Sequence, residues 1–278
     1  MKKSERLNRL KSGTDLFRCP ICGDQFHICG NSFVCVAGHC FDMSKSGYVT
    51  FILNARRQKY YDKGSFENRR RILEKGYFDH VFHEAAEVLQ NHPSVKTVLD
   101  AGCGEGFYAR KLAERYDYDI TAFDLSAESI KLAAKGGSSK NVRWFVGDLT
   151  HIPIADGTID CVLNIFSPAH YEEFRRVLSA DGFVVKVIPG SGHLKEIRAA
   201  AKEHLIRGDY SNHVVKDHFR HHFNNVETTC VSLTFSTPEE DLKVFADMTP
   251  LLFNVDKSCL DLAKIRELTI EAEILTGF

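Results

Sequence analysis

Two groups of residues in this 278-residue chain have the types and spacing to do chemistry. The first is Cys19-Pro-Ile-Cys22, followed by twelve residues to Cys35 and three more to His39. A Cys-x-x-Cys turn points two thiolates at one spot, and the intervening Phe26-His-Ile-Cys and Ser32-Phe-Val can form a short hairpin that returns the second pair. The spacing suits one tetrahedral zinc ion on Cys19, Cys22, Cys35 and a fourth ligand, His39 ahead of the adjoining Cys40, with Cys29 and His27 inside the hairpin. Four protein ligands leave no open position for water, so such a module recognises rather than catalyses. The second group is Asp100-Ala-Gly-Cys-Gly-Glu-Gly106, where an apolar strand breaks into a glycine turn before a helix of good formers, 108–116. Gly102, Gly104 and Gly106 remove side chains where a ligand must lie against bare backbone. A dinucleotide fold would put pyrophosphate at that helix start, but Glu105 inside the turn repels phosphate and suits a cation.

The glycine turn resembles motif I of class I S-adenosylmethionine-dependent methyltransferases, whose cofactor carries a sulfonium and an amino group; the competing reading is a nucleotide-binding oxidoreductase. Either way the turn needs a sheet to hold it. A helix near 66–90 leads to a strand at 96–100, a helix at 107–116, a strand at 119–123, a helix at 126–135 and a strand at 142–146. Further strands are expected at 159–165 and 182–188, with 226–236 and 267–276 as closing antiparallel strands. This alternation predicts an α/β fold, a class I (Rossmann-like) domain with a mostly parallel seven-stranded sheet, behind a small zinc-binding domain. Ligands of such sheets bind beyond the carboxyl ends of the strands. Position alone then picks Asp124 for the ribose hydroxyls, Ser126 being the better helix cap, and Asp148 for the adenine amino group. Asn164-Ile-Phe166-Ser167-Pro168 resembles a loose form of the Asx-Pro-Pro-aromatic loop of nitrogen methyltransferases, which places Asn164, Ser167 and Pro168 at the acceptor. His193, in the Gly-rich turn after the fifth strand, faces the same rim and is a candidate cofactor contact. The histidines at 213, 218, 221 and 222 read as a solvated helix face rather than a metal site.

Composition narrows the setting. No apolar run approaches eighteen residues and the start Met-Lys-Lys-Ser-Glu-Arg has no apolar core, so a cytoplasmic protein with no membrane span and reduced cysteines is expected. The formal net charge of -1 conceals an asymmetry. Residues 1–75 hold 15 Lys and Arg against 7 Asp and Glu, and residues 76–278 hold 21 against 30. A basic end of this kind suits a polyanion. The stretch 54–64 adds Tyr60 and Tyr61, on which RNA bases could stack. The expected division is a basic N-terminal extension at 1–16, a zinc-binding RNA-recognition module at 17–50, a basic flexible linker at 51–66 and a methyltransferase domain at 67–278.

Taken together, the zinc knuckles, Phe41-Asp-Met-Ser-Lys-Ser-Gly-Tyr48, the Arg69-Arg70 helix ending Gly76-Tyr-Phe78, the glycine turn and Pro189-Gly-x-x-His193-Leu resemble the 23S rRNA (guanine-N1)-methyltransferases over nearly the whole chain. The resemblance implies methyl transfer from S-adenosylmethionine to a guanine in a domain II hairpin of 23S ribosomal RNA, and one branch is linked to tylosin-type macrolide resistance. It also implies zinc on Cys19, Cys22, Cys35 and His39, and cofactor contacts from Phe78, Gly104, Glu105 and His193. Ser167-Pro168 stands where one branch has Ala-Pro, so the branch and the guanine stay open. RNA is the expected partner, with no DNA and no membrane, and a cleft big enough for an RNA hairpin suits a homodimer. Asn164 is expected to orient the base, with Asp160 or His170 taking the ring proton. The alternatives are a methyltransferase acting on a small molecule or another RNA, and a non-catalytic zinc-containing RNA-binding adaptor.

Overall fold

The computed structural model describes residues 3–53, 63–136, 142–204 and 211–278. The tyrosine-bearing stretch expected to contact RNA, including Tyr60 and Tyr61, lies outside the described residues. The chain opens with helix α1 (Lys3–Lys11) and a three-stranded antiparallel ribbon, β1 (Phe26–Cys29), β2 (Ser32–Cys35) and β3 (Cys40–Asp42). Then come β4 (Tyr48–Thr50), α2 (Lys63–Glu74) and α3 (Asp79–Gln90). The alternating core follows: β5 (Thr97–Ala101), α4 (Phe107–Arg115), β6 (Asp119–Asp124), α5 (Ala127–Lys135), β7 (Val142–Val146) and β8 (Ile159–Ile165). The last third carries α6 (Tyr171–Val177), β9 (Leu178–Pro189), α7 (Lys195–Ala200), α8 (His213–His222), β10 (Val226–Ser236), α9 (Glu239–Met248) and β11 (Glu267–Gly277).

The main sheet runs β10-β11-β9-β8-β5-β6-β7-β4, antiparallel at the β10, β11 and β9 end and parallel elsewhere. It has eight strands, one more than the seven expected from the sequence. The extra strand is β4, which pairs in parallel with β7, Val49 opposite Phe145. Every residue of β7 is buried, so an uncovered edge there would expose apolar surface and open hydrogen-bonding groups; β4 closes it. Phe51 continues the pairing by donating its N–H to the Val146 carbonyl at 2.9 Å.

The ribbon is not a separate bead. Phe17 meets Phe33 at 5.4 Å between ring centres and Phe145 of the main sheet at 5.6 Å, and Phe51 lies 5.8 Å from Phe145. Leu7 and Leu10 of the basic N-terminal helix are buried in the same cluster. Asp119 at the start of β6 receives a bidentate Arg143 at 2.7 and 2.9 Å and is also bonded by Arg9 of α1. Together these contacts hold its carboxyl below the usual range against the burial that raises it.

The helix expected at 66–90 is two helices. Gly76 takes φ +88, a backbone conformation that side chains disfavour, and the turn it allows starts α3 afresh with Phe78 as its N-terminal cap residue. That break sends Phe78 toward the carboxyl ends of the strands, where the site is built.

Candidate active site and metal centre

At the carboxyl end of β5 the chain turns through Gly102 at φ +77 and Gly106 at φ +79. A Cβ on Gly102 would sit 2.0 Å from Ser167 Oγ, and one on Gly106 would sit 2.5 Å from the Trp144 ring, so no other residue fits without displacing its neighbour. The turn borders a cleft of about 610 Å³. Of the sequence-predicted residues, Phe78, Gly102, Gly104, Glu105, Ser167, Pro168 and His193 all line it.

The electrostatics of the cleft floor are unusual for buried groups. Asp100 is 1 % exposed and its Oδ2 has no hydrogen-bond partner among the described residues. Burial first, then the charges of Asp124 and Glu105, push its carboxyl up to about 7. Glu105 is equally buried; its Oε2 accepts from Arg110 Nη2 at 2.7 Å, while Oε1 is unpartnered. The hydroxyl of Tyr108 is a third buried polar atom without a partner beside the same turn. Unsatisfied buried acceptors cost stability and are rare, so two acidic ones facing a cleft fit a cationic ligand. S-adenosylmethionine, with a sulfonium and an ammonium, meets that test.

An aromatic wall stands opposite. Phe78, Phe166 and His193 lie 5.8 to 6.2 Å apart between ring centres. Phe166 adopts φ +50, a strained value for a side-chain-bearing residue, and its N–H bonds the Val187 carbonyl at 3.0 Å. His193 accepts the Glu271 N–H at Nδ1, at 3.3 Å, and burial holds the ring down at about 4. It is therefore neutral near pH 7, with its proton on Nε2.

The remaining predicted residues are placed differently. Asp124 sits one layer behind the cleft, with one oxygen accepting the Gly104 N–H at 2.9 Å and the other the Ser126 N–H at 2.8 Å. Ser126 caps α5, as its sequence position predicted. Asp148 is exposed, accepts from the Thr150 N–H and hydroxyl within a turn, and does not line the cleft. Asn164 is fully buried, and its amide is consumed: Nδ2 donates to the Ala101 and Pro168 carbonyls at 2.7 and 2.9 Å, while Oδ1 accepts from Lys186. It locks the acceptor loop instead of facing a base.

Two further expectations need correction. Asp160 accepts the Lys96 and Thr97 N–H groups, both at 2.9 Å, which puts it at the opposite end of β8 from the cleft and out of reach of any proton there. His170 caps α6, its Nδ1 accepting the Glu173 N–H, and it does not line the cleft. Of the helix-face histidines, His213, His218 and His221 are exposed as expected; His218 also borders the cleft and lies 5.1 Å from the Tyr171 ring.

The sequence reading missed Lys186. Its Nζ donates to Asn164 Oδ1 at 2.5 Å and to the Ser167 carbonyl, it lines the cleft, and burial lowers it to about 8. The available signal was a lone lysine in the apolar run Phe183-Val-Val-Lys-Val-Ile.

At the ribbon, the donor atoms of Cys19, Cys22, Cys35 and His39 all lie within 4.8 Å of one another. Cys22 and Cys35 sulfurs are 3.6 Å apart, and His39 Nδ1 is 3.3 Å from the Cys35 sulfur and 3.5 Å from that of Cys19. Zinc–sulfur bonds of about 2.3 Å in a tetrahedron produce separations of this size. Cys40 lies outside the group, so the choice falls on His39.

The fold and these two sites define an S-adenosylmethionine-dependent class I methyltransferase with an N-terminal zinc ribbon. A family model of the methyltransferase domain matches residues 98–182, and a zinc-ribbon model described as "RlmA, N-terminal" matches residues 17–53. YxjB of Bacillus subtilis (strain 168), provisionally named a 23S rRNA (guanine-N1)-methyltransferase, is 34% identical over 277 residues, covering 94% of this chain and 96% of that protein. The 23S rRNA (guanine(748)-N1)-methyltransferase of Streptomyces fradiae is 25% identical over 263 residues, 91% of this chain and 93% of that one. The chain belongs to the 23S rRNA (guanine-N1)-methyltransferase family.

Proposed function

We propose that this enzyme methylates N1 of a guanine in a domain II hairpin of 23S ribosomal RNA, with residues 17–50 recognising the RNA and 67–278 doing the chemistry. The observation that supports it best is a cleft with two unpartnered buried acidic oxygens in a chain that aligns end to end with proteins named for this reaction. Bound S-adenosylmethionine supplies an electrophilic methyl group. Gly104 lets it lie on bare backbone, Gly102 makes room for Ser167 beside it, Asp100 and Glu105 face its positive charge, and Phe78 and His193 wall it in. Asp124 acts through Gly104, holding the turn in shape.

The acceptor edge is the Watson–Crick edge, so the base must be unpaired or flipped, at a cost of a few kcal/mol. Alignment of base and methyl group is the enzyme's largest contribution, up to about 7–11 kcal/mol. Phe166 offers the face on which the guanine stacks, and Pro168 and Ser167 close the loop around it. Lys186 has three ammonium N–H bonds, of which Asn164 and the Ser167 carbonyl take two. The third donates to guanine O6, where negative charge develops as the N1 proton passes to solvent water.

Primer extension on 23S ribosomal RNA incubated with the enzyme and S-adenosylmethionine tests the reading, because methylation on the pairing edge stops reverse transcriptase. A cofactor-dependent stop at a domain II guanine is expected. Tight, salt-sensitive RNA binding without a stop would favour the adaptor, and turnover of small acceptors alone would favour the small-molecule enzyme.

A further inference from the structure

Three arginines follow one another on α2, and two of them are ion-paired. Arg70 bonds Glu74 at 2.6 Å and approaches Glu105 at 3.8 Å; Arg71 lies 3.9 Å from Asp241. The Arg69 side chain forms neither a hydrogen bond nor an ion pair with any of the described residues, although the residue is half-buried and lines the cleft. Its Nη1 would be 3.7 Å from a Cβ on Gly104, which places the guanidinium directly over the glycine turn. Its charge reaches the floor, opposing the burial that raises both Asp124 and Tyr108.

The cleft therefore holds, beside Gly104, a cation without a partner among the described residues, together with acidic oxygens at Asp100 and Glu105 that have none there either. Left to themselves, a guanidinium and carboxylates in one cleft would pair, because an isolated half-buried charge is costly. Their separation fits a ligand that carries both charges a few bonds apart, which is an α-amino acid. The methionine end of the cofactor is one.

We propose that Arg69 anchors the α-carboxylate of S-adenosylmethionine in a two-bond guanidinium–carboxylate pair, while Asp100 and Glu105 receive its ammonium. This rests on the reading that the cleft holds that cofactor. The fork of an arginine fits a carboxylate in one plane, so Arg69 would fix the direction in which the amino-acid end lies and with it the aim of the methyl group.

Calorimetry with S-adenosylhomocysteine and 5′-methylthioadenosine, which lacks the amino-acid end, separates this from its premise. In the wild type both ligands should bind, the first more tightly. In Arg69→Met, S-adenosylhomocysteine affinity should fall on the order of 10- to 100-fold while 5′-methylthioadenosine affinity stays as in the wild type, which also shows that the variant is folded. Decarboxylated S-adenosylmethionine should bind the wild type and Arg69→Met equally well. Unchanged S-adenosylhomocysteine binding in the variant, or equal losses for all three ligands, overturns the carboxylate role. Failure of the wild type to bind any of them overturns the premise instead.

Discussion

The metal centre and the cofactor cleft are both built around buried polar groups, but they are finished differently. At the ribbon, four donor atoms converge on one another within 4.8 Å, and the polar demand of the site closes on a single ion. At the cleft, Asp100 Oδ2, Glu105 Oε1 and the Tyr108 hydroxyl are left open, and Arg69 stands unpaired among the described residues. One site spends its chemistry on its own fold; the other withholds it for a ligand that arrives and leaves. The contrast locates function more sharply than burial alone, since both regions contain buried polar groups, Cys19 and Cys35 at one and Asp100 and Glu105 at the other.

The largest effect that would sharpen this contrast is removal of zinc. Structural zinc sites contribute on the order of 10 kcal/mol of apparent binding energy, so chelation or Cys19→Ser should unfold the ribbon. We expect methylation of ribosomal RNA to be lost by more than about a thousand-fold, with S-adenosylhomocysteine affinity in calorimetry changed by less than about ten-fold. Equal loss of both would mean that the two sites fold as one unit.

Next is Lys186→Met, which leaves the ribbon alone and removes one cleft donor. Loss of a charge-stabilising donor typically costs about 10²–10³ in kcat, and the same loss is expected here with RNA affinity in filter binding unchanged. Lys186 is lowered to about 8, so the wild-type rate should fall as pH rises through that value, and Lys186→Arg should carry its activity to higher pH.

The smallest is Asp100→Asn, which tests whether the open floor is kept at the expense of stability. Asp100 titrates at about 7 when folded, above the roughly 3.9 of an unfolded aspartate, so the native chain holds that proton more tightly. Wild-type stability should therefore decline as pH rises from about 4 to about 7 and level off beyond. Asp100→Asn should lack this decline, melting higher than the wild type at pH 8 and close to it at pH 4, while binding S-adenosylhomocysteine about 10- to 100-fold more weakly. A variant no more stable at pH 8 would show that the open carboxyl carries no cost.

Much of this was legible in the chain, for physical reasons that also mark the limit. The zinc ligands fall within 21 residues, so spacing alone brought them together. The glycine turn and the parallel strands were likewise written locally, by period and by missing side chains. Partners of a group cannot be read that way. Asn164 sits at the right strand end, yet its amide is used up by residues distant in sequence, and Asp160 on the same strand faces the other end of the sheet. The roles of Lys186 and Arg69 became visible only in the cleft, where Lys186 is held by two neutral oxygens and the Arg69 side chain has no partner among the described residues.

The fourth strand has a consequence for how such a protein can be cut or inherited. Because Tyr48–Thr50 covers the edge of β7 and Phe17 and Phe51 pack on Phe145, the segments on either side of the ribbon complete the main sheet. A chain shortened to residue 67 would be no minimal methyltransferase; it would bare a flat, apolar, unpaired edge of the kind that seeds aggregates. The N-terminal residues and the methyltransferase sheet could be acquired together or lost together, but not exchanged like cassettes.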